Sequence, residues 1–491
     1  MHAGCYYHIV LVYDLPTSNL IVRVMEKNFG ERKDYMKETL LRFERMIKMN
    51  EPAFFDLETY EKVTAHYIEK GDWDKAVQAC DRGLEDFPYS LDLLLSKVQL
   101  HANRGEHDMA MEILERAALF HPGDLEISFM QVGISNMMGE FEEAISVLEA
   151  LLNRVEDKDE IYFQIGQTYQ NWGKYEEAIV NYKRSLRNNL NNESALYELA
   201  HCLDLVGKLE SHLDYYHELV DRDPFSHHAW YNLGIAFSKL ERYEDAVNAY
   251  EYATLVKDDF ASAFFQLGNS YMNLEKYDDA KTQYLRAIEL EGELPETCCC
   301  VGTCYEKLGE FETAIKYYRQ TVKLDNQWDD GWYGLGICFS ELGRWFEAAG
   351  FLRKAIQITE LNPDYWLALA ETEFRIGNVI SAFEAFEKSA EIEPNNPDIW
   401  LKWSHVLFEQ GNYARACDLL QAAIDEMPEE ADLYYRMAVY QIHSGDYREA
   451  LINLEVALTL DYDAHIQLFE FFPDLEKQKA LYRIIEQYRE K

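Results

Sequence analysis

Residues 227–260 read HHAWYNLGIAFSKLERYEDAVNAYEYATLVKDDF, a stretch that holds two amphipathic helices. Trp230, Leu233, Gly234 and Phe237 recur at three- and four-residue spacing on one face of the first, as do Ala246, Tyr250 and Ala253 on the second. Between the two blocks one helix must end and the chain must turn back. The stretch is therefore a helical hairpin with an apolar side that needs a neighbouring hairpin to cover it.

Moving outward in both directions, the same pattern returns, usually with a glycine at the turn, an aromatic two residues on and an alanine five residues on. It reads Gly71-Trp73-Ala76, Gly139-Phe141-Ala144, Gly173-Tyr175-Ala178, Gly309-Phe311-Ala314, Gly343-Trp345-Ala348, Gly411-Tyr413-Ala416 and Gly445-Tyr447-Ala450. Weaker copies centre on Gly105, Gly207, Glu241, Glu275 and Gly377, and neighbouring copies lie 34 residues apart. About twelve repeats thus fill residues 57–464 without insertion or deletion. Proline tests the register independently, because inside a helix it removes a hydrogen bond and clashes with the preceding turn. Pro88, Pro122, Pro224, Pro394 and Pro428 fall at position 32 of the repeat, and Pro295, Pro363 and Pro397 at position 1, all between helices.

In this register Trp, Leu, Gly, Tyr, Ala, aromatic, Ala and Pro recur at positions 4, 7, 8, 11, 20, 24, 27 and 32, a pattern that resembles the tetratricopeptide repeat family. The resemblance implies an all-α fold, a right-handed superhelical solenoid of about twelve hairpins with helical caps. It also implies that the first helix of each pair lines a concave surface, with positions 2, 5, 9, 12 and 13 toward a ligand. Some repeats depart from the pattern. Those starting at Leu91 and Leu125 lack an aromatic at position 4, and the one starting at Glu193 carries Leu209 and His212 where an aromatic and an alanine are usual. A local change of superhelix pitch is expected over residues 193–226.

A stack of hairpins leaves an apolar face open at each end, so caps with one polar side are required. Residues 36–50, MKETLLRFERMIKMN, have helical period and suit an N-terminal cap within 36–56. Residues 465–491 read as C-terminal capping helices at 466–472 and 475–488, with Phe469, Phe471, Phe472 and Leu481 turned to the last hairpin. Residues 1–35 form an extension whose first 24 match nothing in the array; they are expected to be disordered, or to precede a true start at Met25 or Met36.

A chain of 491 residues is too long for one hydrophobic core, which accords with a repeat array. Eighty-eight acidic against 47 basic residues give a formal charge of −41, which repels the phosphates of nucleic acid and of anionic lipid. A neutral or basic polypeptide is the expected partner, with no nucleic acid and no membrane. The nine cysteines lack paired spacing, and no stretch is apolar enough to cross a bilayer, so a cytoplasmic setting is expected.

Position 5 supplies the candidate binding residues: Phe129, Phe163, Tyr197, Tyr231, Phe265, Cys299, Tyr333 and Tyr435. Beside this ladder stand Gln167, Gln170, Asn171, His201, Asn269, Asn273, Glu306, Lys307 and Glu341, groups able to hydrogen-bond the backbone of a bound segment. Aromatics at position 5 serve helix packing equally well. The family's carboxylate clamp needs lysine at position 5 and asparagine at position 9 of one repeat; position 5 is never basic here, which disfavours an acidic tail as ligand.

Cys298, Cys299, Cys300 and Cys304 are the one cluster with a look of metal chemistry, yet no matching Cys or His pair follows at ligand spacing. Cys202, Cys304 and Cys338 share position 10 with Ala236 and Ser270, as small packing residues do. His227 and His228 sit at a helix start with no nucleophile beside them. No catalytic residue, metal or cofactor is expected. The sequence points to a scaffold or adaptor that holds a partner polypeptide in an acidic, aromatic-lined groove. The alternatives are an exported component of cell-envelope assembly and an enzyme with its site hidden in the array.

Overall fold

The computed structural model describes residues 29–49, 54–190, 192–471 and 479–488, and among these there is no strand. Helix α1 (Phe29–Met49) comes first, followed by consecutive packed pairs: α2 (Leu57–Glu69) with α3 (Trp73–Asp86), α4 (Leu91–Asn103) with α5 (His107–Phe120), α6 (Leu125–Met138) with α7 (Phe141–Leu151), and α8 (Asp159–Asn171) with α9 (Tyr175–Asn188). The repeat from Glu193 holds α10 (Glu193–Leu205) and α11 (Leu213–Arg222). Pairing continues with α12 (His227–Lys239) and α13 (Tyr243–Val256), α14 (Ala261–Asn273) and α15 (Tyr277–Glu291), α16 (Pro295–Lys307) and α17 (Phe311–Leu324), and α18 (Asp329–Glu341) and α19 (Trp345–Ile358). It ends with α20 (Pro363–Ile376) and α21 (Val379–Ile392), α22 (Pro397–Glu409) and α23 (Tyr413–Glu426), α24 (Ala431–Ser444) and α25 (Tyr447–Leu460), then α26 (His465–Phe471) and α27 (Lys479–Tyr488).

Each boundary has a local cause. The residue before many first helices is a cap: Asp56 accepts from the Thr59 N–H at 3.0 Å, Ser226 from Ala229 at 3.2 Å and Asn396 from Asp398 at 3.1 Å. Pro295, Pro363 and Pro397 occupy the first helical position, where the missing N–H costs nothing. An aromatic at position 4 closes the turn before it: Trp230 Nε1 donates to the Pro224 carbonyl at 2.9 Å, Trp366 to Glu360 at 2.8 Å and Trp400 to Pro394 at 2.8 Å. Alanine at position 20 is fully buried from Ala76 to Ala416, so second helices press closely onto first helices.

The turn inside each hairpin needs a left-handed residue, and glycine supplies it at φ values such as 78° at Gly173 and 72° at Gly343. At Glu241 and Glu275 an L side chain is forced to φ 57° and 58°. Glu275→Gly is expected to raise stability by about 0.5–1 kcal/mol, the relief of the left-handed penalty outweighing the extra freedom of the unfolded glycine. A shift of the thermal or urea midpoint upward measures it; an unchanged or lower midpoint would refute it.

The chain divides into two compact blocks, an N-terminal one to Val206 and a C-terminal one from Gly207. The division falls in the repeat with Leu209 and His212. There a short 3₁₀ turn, Glu210–His212, stands where second helices normally begin, and α11 is left with 10 residues. The His212 ring Nδ1 lies 2.9 Å from the Lys208 carbonyl, so the imidazole serves the turn and not a close helix contact.

At the N-terminal end α1 begins at Phe29 and contains Met36, and its Phe43 and Met46 are buried with Phe55, Tyr60 and Tyr67. At the other end Leu468 of α26 and Ile485 of α27 are buried with Leu433, Tyr440 and Leu454. Residues 1–24, with a start at Met25, and Phe472 lie outside the described residues, as do the side chains of Phe471 and Leu481. Among the described residues no helix is long and apolar enough to cross a membrane.

Candidate docking face on the first helices

Within each block the first helices of successive pairs touch one another: α2 with α4 and α8 with α10 in one, α12 with α14 and α16 through α24 in series in the other. The second helices of those pairs make no comparable approach. First helices therefore stand on the inner side of the local curve, and their positions 2, 5, 9, 12 and 13 form the candidate face.

In the N-terminal block Phe129 is half-buried among Leu148 and Val132. Phe163 is only 8% exposed, its ring centroid 5.8 Å from that of Tyr182. This corrects its reading as a ligand anchor: the ring fills the hairpin core. Gln167 is half-buried and Asn171 exposed, while Gln170 is committed, accepting from the Tyr182 hydroxyl at 2.5 Å and donating to Glu198 at 2.7 Å. Tyr197 is 53% exposed and His201 half-buried beside it on α10.

In the C-terminal block Tyr231 and Phe265 are half-buried and lean on the buried tyrosine of the second helix, Tyr231 at 5.6 Å from Tyr250 and Phe265 at 5.5 Å from Tyr284. Asn269 accepts from the Tyr284 hydroxyl at 2.6 Å, and exposed Asn273 donates to the Asn269 carbonyl at 2.9 Å. Position 5 is thus a packing position whose outer edge stays accessible in some repeats. Tyr435 shows the extreme, buried with its hydroxyl donating to the Asp461 carbonyl at 2.7 Å.

Tyr333 is placed differently. It stacks on Tyr365 of the next first helix, centroids 4.9 Å apart, and the Tyr365 hydroxyl donates to Asp330 at 2.8 Å. Burial, followed by the charges of Asp364, Glu306, Glu371 and Asp330, holds the Tyr333 phenol well above its ordinary pKa. Burial also raises the carboxyls of Glu306, which accepts from Tyr318 at 2.7 Å, and of Asp330. The sequence ladder did not include Asp330, Asp364 or Glu371. A signal existed, since position 2 is acidic in five consecutive repeats, Glu296, Asp330, Asp364, Asp398 and Asp432. An acidic residue in a first helical turn also suits the helix dipole, so spacing alone did not separate the two roles.

The cysteines are packing residues. Cys298, Cys299 and Cys304 are buried, and burial pushes the thiols of Cys298 up to about 11 and of Cys300 and Cys304 up to about 12. The His227 and His228 rings lie 3.9 Å apart against Phe260, and burial, with the neighbouring His228, pushes His227 down to about 4.

Hairpins stacked in register around an open inner face define a repeat scaffold. The chain belongs to the tetratricopeptide repeat family: tetratricopeptide repeat families match residues 67–130, 159–192, 206–262, 261–294 and 302–363, and the cytochrome c-type biogenesis protein H TPR domain matches 341–460. Among solved structures it is similar to YrrB, a TPR protein with an unusual peptide-binding site, at 21% identity over 38% of this chain and 95% of that one, with a TM-score of 0.33. It is also similar to the Cut9–Hcn1 hetero-tetramer of APC/C, at 12% identity over 82% of this chain and 98% of that one, with a TM-score of 0.40. No curated protein matches the chain.

Proposed function

We propose that the protein is a non-catalytic, cytoplasmic adaptor that holds a segment of a partner polypeptide along the inner face of its first helices. The observation that carries this reading is the accessible side chains on that face within each block: exposed Tyr197 with Gln167, Asn171 and His201 in the N-terminal block, and half-buried Tyr231, Phe265 and Tyr333 with Asn269 and Asn273 in the C-terminal one. Rigid aromatics next to adaptable amides suit a polypeptide ligand, because preformed helices lose little entropy when a flexible segment is laid on them. The charge of −41 favours a neutral or basic partner over nucleic acid or an anionic membrane.

Affinity capture from the native cell with the full chain, in parallel with Tyr197→Ala and Asn273→Ala, tests the proposal. Neither side chain supports the core, so circular dichroism stays unchanged while capture of the main partner falls about tenfold, the scale of losing an interfacial aromatic. Capture unaffected by both substitutions would sink the reading. A second reading is favoured by the match over 341–460: hairpins of that region would serve in c-type cytochrome biogenesis, and the captured partner would then be another component of that process.

A further inference from the structure

The cysteines of α16 do not form one group, because consecutive residues point in different directions round a helix. Cys299 is buried with Ile315, Tyr318 and Leu335. Cys300 and Cys304, four residues apart and therefore on one face, gather instead with Tyr284, Val301 and Met272. Met272 belongs to α14, the first helix of the preceding repeat, and the Cys304 thiol donates to its thioether with the two sulfurs 3.4 Å apart. Cys304 is fully buried, while Cys300 and Met272 are half-buried. Two thiols and a thioether thus meet in an apolar cluster that is closed at one side and reachable at the other.

We propose that Cys300, Cys304 and Met272 form a site for one Cu(I) ion, which joins α14 to α16 through two thiolates and a thioether. In the free chain these sulfurs pack; the spacing lets them also close on an ion. Residues four apart on a helix have Cβ atoms about 5–6 Å apart, a gap that one ion spans with metal–sulfur bonds of about 2.3 Å. Methionine, unbranched and adaptable, completes the set by rotating its side chain. The donors select the metal. Thiolate and thioether are soft ligands and favour Cu(I), whereas zinc takes four ligands from Cys, His and carboxylates. Among the described residues no three His, Cys, Asp or Glu side chains stand together to hold such an ion. Copper enters as Cu(I) and keeps its oxidation state. Two S–H bonds break, two Cu–S bonds form, the thioether adds a lone pair, and two protons pass to water. Burial pushes both thiols up to about 12, so both protons are present in the free chain and both leave on binding. Apparent affinity therefore rises about a hundredfold per pH unit near neutrality.

In the test the full chain, reduced and kept free of oxygen, competes for Cu(I) with bathocuproine disulfonate, whose colour reports the ion it retains. The chain is expected to take copper from the chelator, more strongly as pH rises, and to hold zinc far more weakly. Cys300→Ala and Cys304→Ala each lower the affinity about a hundredfold or more. Both variants keep the helical signal, because Ala368 and Ala236 occupy the same positions in other repeats. Met272→Leu keeps the volume and removes only the thioether, so affinity falls about tenfold. Cys338→Ala, at the place of Cys304 in the next repeat, changes it by no more than about twofold. Failure to take copper at any pH would overturn the site, as would zinc held as tightly as Cu(I). A loss in Cys338→Ala equal to that in Cys304→Ala, or a Met272→Leu variant equal to the parent, would overturn it as well. Each of these failures leaves the docking reading untouched.

Discussion

Tyr284→Ala is expected to destabilise the C-terminal block by about 3–5 kcal/mol, the cost of emptying a large buried aromatic site. Tyr284 is 1% exposed and fits against Gly268 so closely that a Cβ on that glycine would stand 2.7 Å from its ring. Tyr182 on Gly166 and Tyr250 on Gly234 repeat the fit at 2.6 Å, which makes a glycine at position 8 and a tyrosine at position 24 one complementary pair. Three losses coincide in the alanine variant. A cavity opens against Gly268, the Asn269 side-chain Oδ1 loses its donor, and Phe265 loses the ring it leans on. Tyr284→Phe keeps the ring and forfeits only the hydrogen bond, about 1 kcal/mol. Urea unfolding with hydrogen exchange localised to α14 and α15 measures both, since a stack transmits damage chiefly to nearest neighbours. An alanine variant within 1 kcal/mol of the parent would mean that the hairpin is not held by this pair.

Arg353→Met is expected to cost about 3 kcal/mol, because it leaves Glu373 buried at 1% exposure without its ion-pair partner. Glu373 occupies position 11, where Tyr169, Phe237, Tyr271, Tyr305 and Phe339 stand in other repeats. Its carboxylate bonds Arg353 of α19 and accepts from Asn378 at 2.8 Å, so a polar clamp replaces the usual ring. The double variant Arg353→Met with Glu373→Phe restores the common arrangement and recovers most of the loss, since a buried ion pair is seldom better than well-packed apolar side chains. Comparison of the two single variants with the double variant gives the coupling directly. A double variant no better than Arg353→Met would show that the site cannot repack.

Much of the fold could be read in one dimension. The 34-residue period, the proline positions and the turn glycines all act within a few residues of chain, through the loss of an N–H, a fixed φ or a required left-handed turn. The candidate face was only partly legible. Phe163 and Tyr333 share position 5, yet one ring packs on Tyr182 of its own hairpin and the other stacks on Tyr365 of the next repeat. Tyr197 resembles both in sequence and is the exposed one.

What the sequence determined by itself is a stack of helical hairpins in a single register, acidic overall, with position 5 aromatic in seven of the twelve first helices, since each of these follows from local periodicity or a simple count. Which of those aromatics stay accessible, and that Tyr333 stacks on Tyr365 of the next repeat, whose hydroxyl bonds Asp330, only the tertiary structure decided. Burial and electrostatic surroundings are set by side chains that meet across neighbouring hairpins, and such meetings leave no mark at any one position of the chain.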